Sequence, residues 1–405
     1  MGSREFLATR FLPAALGALM VLMVVGAQLA LASDVPIPAR VLPGYQPDAN
    51  SKWDEQGIWM EMAEAEQQLA NSPLRVTDSA LTRYVEAVVC KVTAQYCDDV
   101  RVFVVKNPHF NASMAPNGTM IVHTGLLARV TSTDELAAVL GHELAHYTQA
   151  HSLRRFRAAK NRLAAGSVLS IGLALGGVYG AGLPELFAVA SVMSFTRAQE
   201  SQADELGAWY MNQANYDPTA AARVWARIRD EEEQASIKHK RGPLWLSSHP
   251  EPKARERNLA ATARVLNVDL SNSRRQTPDL EYVGALQADY AQLMDSQVSM
   301  GDFGRLNSLL DRHEAMGIAA ADIAFYRGEG WRIHRGAGDH ERAIAAYQQA
   351  LQGDAPNVRA YRELGYLQIK HGEPESAKVN FTEYLARVPT ATDRQMIEFY
   401  IGGGW

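Results

Sequence analysis

The two histidines four residues apart in the stretch 140–152 (LGHELAHYTQAHS) limit most strongly what this chain can fold into. Residues four apart on a helix differ by about 40° in direction, so His142 and His146 point the same way and can share one tetrahedral metal ion. Glu143 lies beside the first histidine, where its carboxylate can take a proton from an attacking water. This is the H-E-x-x-H arrangement of zinc peptidases. The alternative is a histidine-rich polar helix face without a metal.

The surrounding residues predict the helix that this motif needs. Ser132 and Glu135 fit a capping box at its start, and an apolar stripe at helical spacing follows at Leu136, Val139, Leu140 and Leu144. His151 is nine residues beyond His142, about 180° around an unbroken helix. We therefore expect His151 to lie on another face unless the helix breaks.

The third metal ligand has to come from elsewhere in the chain. The extended metzincin pattern needs Gly and His at positions 149 and 152, where this chain has Gln149 and Ser152. Glu200 and Asp204 lie one turn apart on a second predicted helix. Glu200 is the candidate ligand, and Asp204 can hold a ligand histidine through its outer ring N–H.

Three separated motifs together resemble the CAAX-prenyl-endopeptidase, HtpX and BepA-type family of zinc metallopeptidases. They are HELAH at 142–146, the R-x-x-E-x-x-x-D pattern of Arg197, Glu200 and Asp204, and NASMAPNGTMIVHTGLL at 111–127. The resemblance implies one Zn²⁺ per chain, bound by His142, His146 and Glu200. It implies that Glu143 is the general base and that Arg197 and Asp204 support the ligands.

Two further site elements follow from the resemblance. The segment before the H-E-x-x-H helix is expected to be an edge strand that receives the substrate backbone through Met120, Ile121, Val122 and His123. His249 precedes Pro250, so it is presented from an extended segment. It can donate to the oxyanion of the tetrahedral intermediate or close over the zinc as a fourth ligand; a capping or surface histidine is the alternative.

The N-terminus has the pattern of a secretory signal peptide over residues 1–32. Arg4 and Arg10 precede an uncharged run at 11–29, and Ala30-Leu31-Ala32 forms a cleavage site. We expect cleavage and a periplasmic location, with an uncleaved membrane anchor as the alternative. Residues 33–50 are rich in turn formers, which predicts an extended lead-in.

The fold class expected is mainly α, of the α+β type. Residues 51–275 are predicted to form a zincin-like metallopeptidase domain whose small sheet contains strands at 101–106 and 118–125, joined by a turn-rich connection. Residues 276–405 are predicted to form an all-α tetratricopeptide-like domain. Its signature is Gly338, Ala343 and Tyr347, which recur 34 residues later as Gly372, Ala377 and Phe381.

Cys90 and Cys97 are the only cysteines. On one unbroken helix their Cα atoms would lie roughly 10 Å apart, beyond the reach of a disulfide. A disulfide therefore requires the helix to end between them. We favour that bridge over two free thiols.

The remaining expectations concern partners. A net charge of −5 gives no reason to expect nucleic acid. The uncharged run at 163–183 and the basic residues before it (Arg154, Arg155, Arg157, Lys160 and Arg162) fit a buried or membrane-skimming hairpin better than a membrane span, so residues 154–183 are a candidate for peripheral membrane contact. The repeats suggest a protein partner.

The function indicated is a zinc-dependent endopeptidase of the bacterial periplasm that hydrolyses exported or misfolded outer-membrane proteins, with the repeats docking a client or the outer-membrane assembly machinery. The first alternative is a chaperone or assembly adaptor with a silent zinc site. A second is an intramembrane protease, which depends on the run at 163–183.

Overall fold

The computed structural model describes residues 40–48, 52–77, 79–163, 195–237, 249, 252–266 and 279–404. The predicted signal peptide and all but the first residue of the run at 163–183 lie outside these residues. Among the described helices, none has the length and apolar character needed to cross a bilayer. The predicted mainly helical fold with a small sheet is confirmed.

The elements that surround the H-E-x-x-H motif are eight helices and three strands within the described residues. In chain order they are α1 (Trp53–Ala70), α2 (Ala80–Thr93), β1 (Arg101–Val105), β2 (Ala112–Met114), β3 (Thr119–His123), α3 (Thr124–Leu127), α4 (Thr133–Thr148), α5 (His151–Leu163), α6 (Arg197–Gln213), α7 (Ala220–Gln234) and α8 (Pro252–Val265). A 3-10 helix, Ala94–Asp99, joins α2 to β1.

The sheet has the strand order β1-β3-β2. β3 pairs in parallel with β1 and antiparallel with β2. Met120, Ile121, Val122 and His123 thus lie in the central strand, and the expectation that they form an edge strand is wrong. The edge strand beside them is β2, in a stretch for which the sequence predicts only a connecting turn.

Helix α4 begins as expected, but its capping differs in one detail. The Ser132 hydroxyl accepts a hydrogen bond from the Glu135 N–H at 3.3 Å. The Glu135 carboxylate does not reach back to Ser132; it accepts from the Thr131 N–H at 2.7 Å and pairs with Arg227 of α7. The predicted capping box is therefore only half formed, because Arg227 recruits the carboxylate to tie α4 to α7.

Cys90 and Cys97 form a disulfide. Helix α2 ends at Thr93, and Ala94 adopts a positive φ of 43° before the 3-10 helix continues. This break brings the two Cα atoms to 4.6 Å.

The C-terminal part is built from helix pairs. Its helices are α9 (Leu280–Ala288), α10 (Tyr290–Ser299), α11 (Phe303–Met316), α12 (Ala320–His334), α13 (Asp339–Ala350), α14 (Arg359–Lys370), α15 (Pro374–Arg387) and α16 (Arg394–Ile401). Gly338 and Gly372 both take left-handed conformations, with φ of 76° and 77°, at the turns of successive pairs.

A glycine on the first helix of each pair makes room for an aromatic ring on the second. A Cβ at Gly328 would come within 2.5 Å of the Tyr347 ring, and a Cβ at Gly365 within 2.5 Å of the Phe381 ring. Both rings are fully buried. The small and aromatic positions of the sequence repeat thus interlock the two helices of each pair.

One apolar core continues across the predicted domain boundary at 275/276. It extends from Val41 to Leu367 and includes residues of both halves. Tyr282 of α9 donates a hydrogen bond to the carbonyl of Leu127, and His313 of α11 contacts that of Ala128 at 2.7 Å. The first helices after the boundary are therefore packed onto the half that contains the H-E-x-x-H motif.

A buried charge cluster reinforces this packing. Glu231 of α7 accepts from Arg129, which follows α3, and from Arg312 of α11, both at 2.6 Å. Arg129 also donates to Gln297 of α10 at 3.0 Å. Burial raises the pKa of Glu231, but the charges of Arg129 and Arg312 outweigh burial, and the net pKa lies below its ordinary value.

We predict that Glu231→Gln lowers the free energy of unfolding by about 3 kcal/mol at neutral pH, because the buried guanidinium of Arg129 and the partly buried one of Arg312 lose their counter-charge. The lowered pKa means that the ionised Glu231 stabilises the fold above the ordinary glutamate pKa and that this contribution disappears as the pH falls through the folded-state value. The difference between wild type and variant, measured by urea unfolding, should therefore shrink in acid.

The matched control is Glu233→Gln on the exposed side of the same helix, which should change stability by less than about 0.5 kcal/mol. Equal stability of wild type and Glu231→Gln at pH 7 would contradict the assigned role of the cluster.

Candidate metal site

The site is built where α4 crosses α6 at two glycines. A Cβ on Gly141 would lie 3.1 Å from the carbonyl oxygen of Gly207, and a Cβ on Gly207 would lie 3.0 Å from the backbone nitrogen of His142. Only glycine permits so close a backbone approach without displacement. Helix α6 begins with a complete capping box between Thr196 and Gln199.

This crossing brings four donor groups together. His142 and His146 project from α4, Glu200 from α6, and His249 from a separate segment, and all four side chains are buried. Their ligand atoms lie within 4.8 Å of one another. The two histidines of the H-E-x-x-H motif thus meet Glu200, the candidate third ligand, across the helix crossing.

The distances between the donors fit one tetrahedral zinc ion. His142 Nε2 lies 3.0 Å from His146 Nε2 and 3.3 Å from His249 Nδ1. Glu200 Oε2 lies 3.6 Å from His142 Nε2. Glu200 Oε1 lies 3.6 Å from His146 Nε2 and 3.0 Å from His249 Nδ1. Two ligands at zinc–nitrogen distances of about 2.0–2.1 Å and a tetrahedral angle lie roughly 3.3 Å apart. Nitrogen and carboxylate donors are also the set that zinc prefers.

His142 is oriented by Asp204. Its Nδ1 lies 3.1 Å from Asp204 Oδ1, so the ring donates there and turns Nε2 toward the other ligands. Arg255 of α8 pairs with Asp204 Oδ2 through Nε at 2.8 Å and with Glu200 through Nη1, also at 2.8 Å. Its guanidinium lies over the Trp225 ring at 3.9 Å. Arg255 therefore fixes both carboxylates at once.

His146 is oriented by His151, and the expectation that His151 lies on another face is wrong. Helix α4 ends after Thr148, and Ala150 takes a positive φ of 50°, so α5 starts in a new direction. His151 Nδ1 thereby comes within 2.8 Å of His146 Nδ1, and His151 Nε2 lies 2.9 Å from Gln202 Oε1. With His146 Nε2 toward the metal, its Nδ1–H donates to His151, whose Nε2–H donates to Gln202.

The environment keeps His146 and His249 neutral, as metal ligation requires. Burial lowers the pKa of His146 well below its ordinary value, and His142 and His249 lower it further. Burial likewise lowers the pKa of His249 to about 4. For Glu200, burial raises the pKa, but His249, His142 and Arg255 outweigh it, and the net pKa is lowered. The carboxylate is thus ionised at neutral pH.

The two residues predicted for catalysis lie at the same centre. Glu143 is buried next to His142, and its Oε1 lies 3.6 Å from His249 Nε2. His249 points Nδ1 at Glu200 and Nε2 at Glu143. The structure therefore brings His249 among the metal donors rather than to the surface.

The arginine that pairs with Glu200 and Asp204 is Arg255. Arg197 is the first residue of α6, and its side chain is exposed. The buried guanidinium between Glu200 and Asp204 belongs to Arg255, which the sequence-based prediction missed. Its only signal was its place six residues after His249, on the next predicted helix.

Family comparisons agree with this geometry. A model described as Peptidase family M48 matches residues 76–263, and one described as Tetratricopeptide repeat matches residues 334–394. Residues 76–263 are therefore similar to peptidase family M48. The predicted layout, a zinc metallopeptidase domain followed by tetratricopeptide repeats, is confirmed. Zinc is the cofactor that the donor cluster and the family indicate.

Individual relatives each match about half of the chain or less. It is 30% identical over 201 residues to the beta-barrel assembly-enhancing protease of Yersinia pestis, covering 47% of this chain and 40% of that protein. It is 28% identical over 220 residues to the beta-barrel assembly-enhancing protease of Escherichia coli strain K12, covering 50% of this chain and 44% of that protein. It is 30% identical over 181 residues to the mitochondrial metalloendopeptidase OMA1 of Schizosaccharomyces pombe, covering 44% of this chain and 52% of that protein. The chain thus aligns with about half the length of these relatives or less.

We predict that Asp204→Ala weakens zinc binding about 10- to 100-fold, because His142 loses the acceptor that orients its ring. Competition with a chromophoric chelator measures the dissociation constant. Glu205→Ala is the matched control, since the neighbouring Glu205 is exposed and should leave zinc affinity unchanged. Equal affinities of the two variants would show that Asp204 does not orient His142.

Proposed function

We propose that this chain is a zinc-dependent endopeptidase whose metal is bound by His142, His146 and Glu200 and whose general base is Glu143. The observation that carries the proposal is the convergence of these ligands with an adjacent buried carboxylate. A purely structural zinc site does not need a general base. The similarity of residues 76–263 to peptidase family M48 supports the same assignment.

The reaction is peptide-bond hydrolysis. A zinc ion at this position would supply a Lewis acid that polarises the scissile carbonyl and makes water more acidic. Glu143 takes a proton from the attacking water and passes it to the leaving amine. Asp204 and His151 hold the two ligand imidazoles in one tautomer, so that their lone pairs stay directed at the metal.

The position of His249 fits two alternative roles. With Nδ1 among the donors, it would hold a bound zinc as the fourth ligand and keep the enzyme latent. Once withdrawn from that position, a histidine at this point of the site can donate to the oxyanion of the tetrahedral intermediate. The resting contacts, 3.0 Å to Glu200 and 3.3 Å to His142, favour the first role.

We propose that β2, and not β3, receives the substrate backbone. In the antiparallel pair the ladder bonds join Asn111 to His123 and Ala115 to Thr119. By alternation, the backbone groups of Ala112 and Met114 face away from β3. Among the described residues no strand pairs with that edge, so an extended peptide can add to it.

The proposed setting is the bacterial periplasm, with exported or misfolded outer-membrane proteins as substrates. The names of the Yersinia pestis and Escherichia coli relatives, which refer to beta-barrel assembly, support it. The tetratricopeptide helices offer a docking surface for a client or for assembly machinery. A chaperone or adaptor with a silent site is the second candidate, favoured by the placement of His249 among the donors.

We predict that Glu143→Gln abolishes cleavage of an unfolded protein such as casein and leaves zinc bound, because the amide cannot accept the proton. Chelator-sensitive hydrolysis and zinc content by mass spectrometry are the two measurements. Proteolysis retained in Glu143→Gln would contradict the mechanism. Casein left intact by both the wild type and His249→Ala would favour the adaptor.

We also predict that peptide binding protects particular amides from hydrogen exchange. In zinc-loaded Glu143→Gln, a bound peptide should slow exchange at Ala112 and Met114, whose N–H groups face the open edge. Exchange at Ile121 and His123 should not change, because these amides are already paired within the sheet. New protection in β3 without protection in β2 would contradict the proposed docking strand.

A further inference from the structure

A cleft that is open to solvent lies beside the metal ligand His146. Its walls come from the lead-in segment, α1, the end of β2 and the α4–α5 junction. The residues that define it are Val41, Tyr45, Trp59, Met114, His146 and Leu153. The cleft therefore connects the metal site to the edge strand.

The lead-in wall is fixed in place by hydrogen bonds. The N–H groups of Arg40 and Val41 donate to the carbonyl of Thr148, at the end of α4, at 2.8 and 2.9 Å. The Tyr96 hydroxyl donates to the carbonyl of Val41 at 2.9 Å. The segment predicted to be only an extended lead-in thus contributes a preformed surface next to the H-E-x-x-H helix.

The cleft is lined mainly by apolar and aromatic groups. The rings of Tyr45 and Trp59 meet edge to face with centroids 6.0 Å apart. The one carboxylate in its wall, Glu55, accepts from the Tyr45 hydroxyl at 2.7 Å and pairs with Arg157 at 2.9 Å. Tyr45 engages Oε1 of Glu55, and Arg157, which also pairs with Asp54, engages Oε2. Because both oxygens are engaged and the other lining groups are mainly apolar, the cleft favours an apolar side chain over a basic one.

We propose that this cleft is a specificity pocket for a bulky apolar side chain, aromatic or large aliphatic, of the peptide that docks on β2. The inference rests on the proposed function. Met114 links the two features, because its backbone groups face the open edge while its side chain lines the cleft. In the docked peptide, the residue that enters the cleft is the one paired with Met114 or a close neighbour of it. Because the metal ligand His146 also lines the cleft, this residue lies near the scissile bond.

The test measures peptide binding to the zinc-loaded full chain carrying Glu143→Gln, which does not consume the peptide. Four fluorescently labelled peptides, otherwise made of small polar residues, differ at one position, which is Phe, Leu, Ala or Lys. Fluorescence anisotropy gives the Kd of each peptide. Phe and Leu should bind at least about tenfold more tightly than Ala, since each apolar side chain leaves water. Lys should bind no better than Ala.

Two tryptophans on α1 provide a matched pair of variants. Trp59→Ala should reduce the preference for Phe over Ala to less than about threefold. Trp53→Ala, on the same helix but 74% exposed and outside the cleft, should retain it. If circular dichroism shows that Trp59→Ala is unfolded, Tyr45→Ala takes its place, because Tyr45 lies in the lead-in rather than in a helix.

Two results would overturn the pocket. One is equal binding of the Phe, Leu and Ala peptides; the other is a preference for Phe that survives both Trp59→Ala and Tyr45→Ala. The proposed function fails separately if neither the zinc-loaded wild type nor zinc-loaded His249→Ala cuts any of the peptides, although Glu143→Gln still prefers Phe. Cleavage by the wild type within about two residues of the Phe supports both.

Discussion

The close approach of α4 and α6 at Gly141 and Gly207 is the constraint on which the site depends. It lets His142 and His146 on one helix meet Glu200 on the other at distances that fit a single ion. A side chain at either glycine would press on the backbone of the opposite helix. Metal geometry tolerates errors of only a few tenths of an ångström, so the helix crossing is part of the site.

Around the ligands, buried polar groups are paired in ways that favour metal binding. Asp204 and His151 orient the two imidazoles, and Arg255 balances the carboxylates of Asp204 and Glu200. Such groups cost free energy to bury unless they are paired. The same rule applies to Glu231, whose arginine partners join the peptidase half to the helices that follow it.

The sequence could predict the groups whose spacing follows from a helix. His142, His146, Glu200 and Asp204 are separated by one turn on their helices, and Ser132 marks where the first of these begins. His151 was predicted wrongly because the helix breaks at Ala150, a residue type that seldom takes a positive φ. Arg255 was missed because a long side chain that reaches another helix follows no spacing rule. The strand order could not be predicted either, because β2 is short, its residues form strands weakly, and it shows no alternating hydrophobic pattern.

The most direct test of the central claim is anomalous scattering at the zinc absorption edge from crystals of the zinc-loaded full chain. We expect one ion within about 2.0–2.2 Å of His142 Nε2, His146 Nε2 and a carboxylate oxygen of Glu200. An ion held without Glu200, or one bound by His151 in place of His146, would contradict the proposed site.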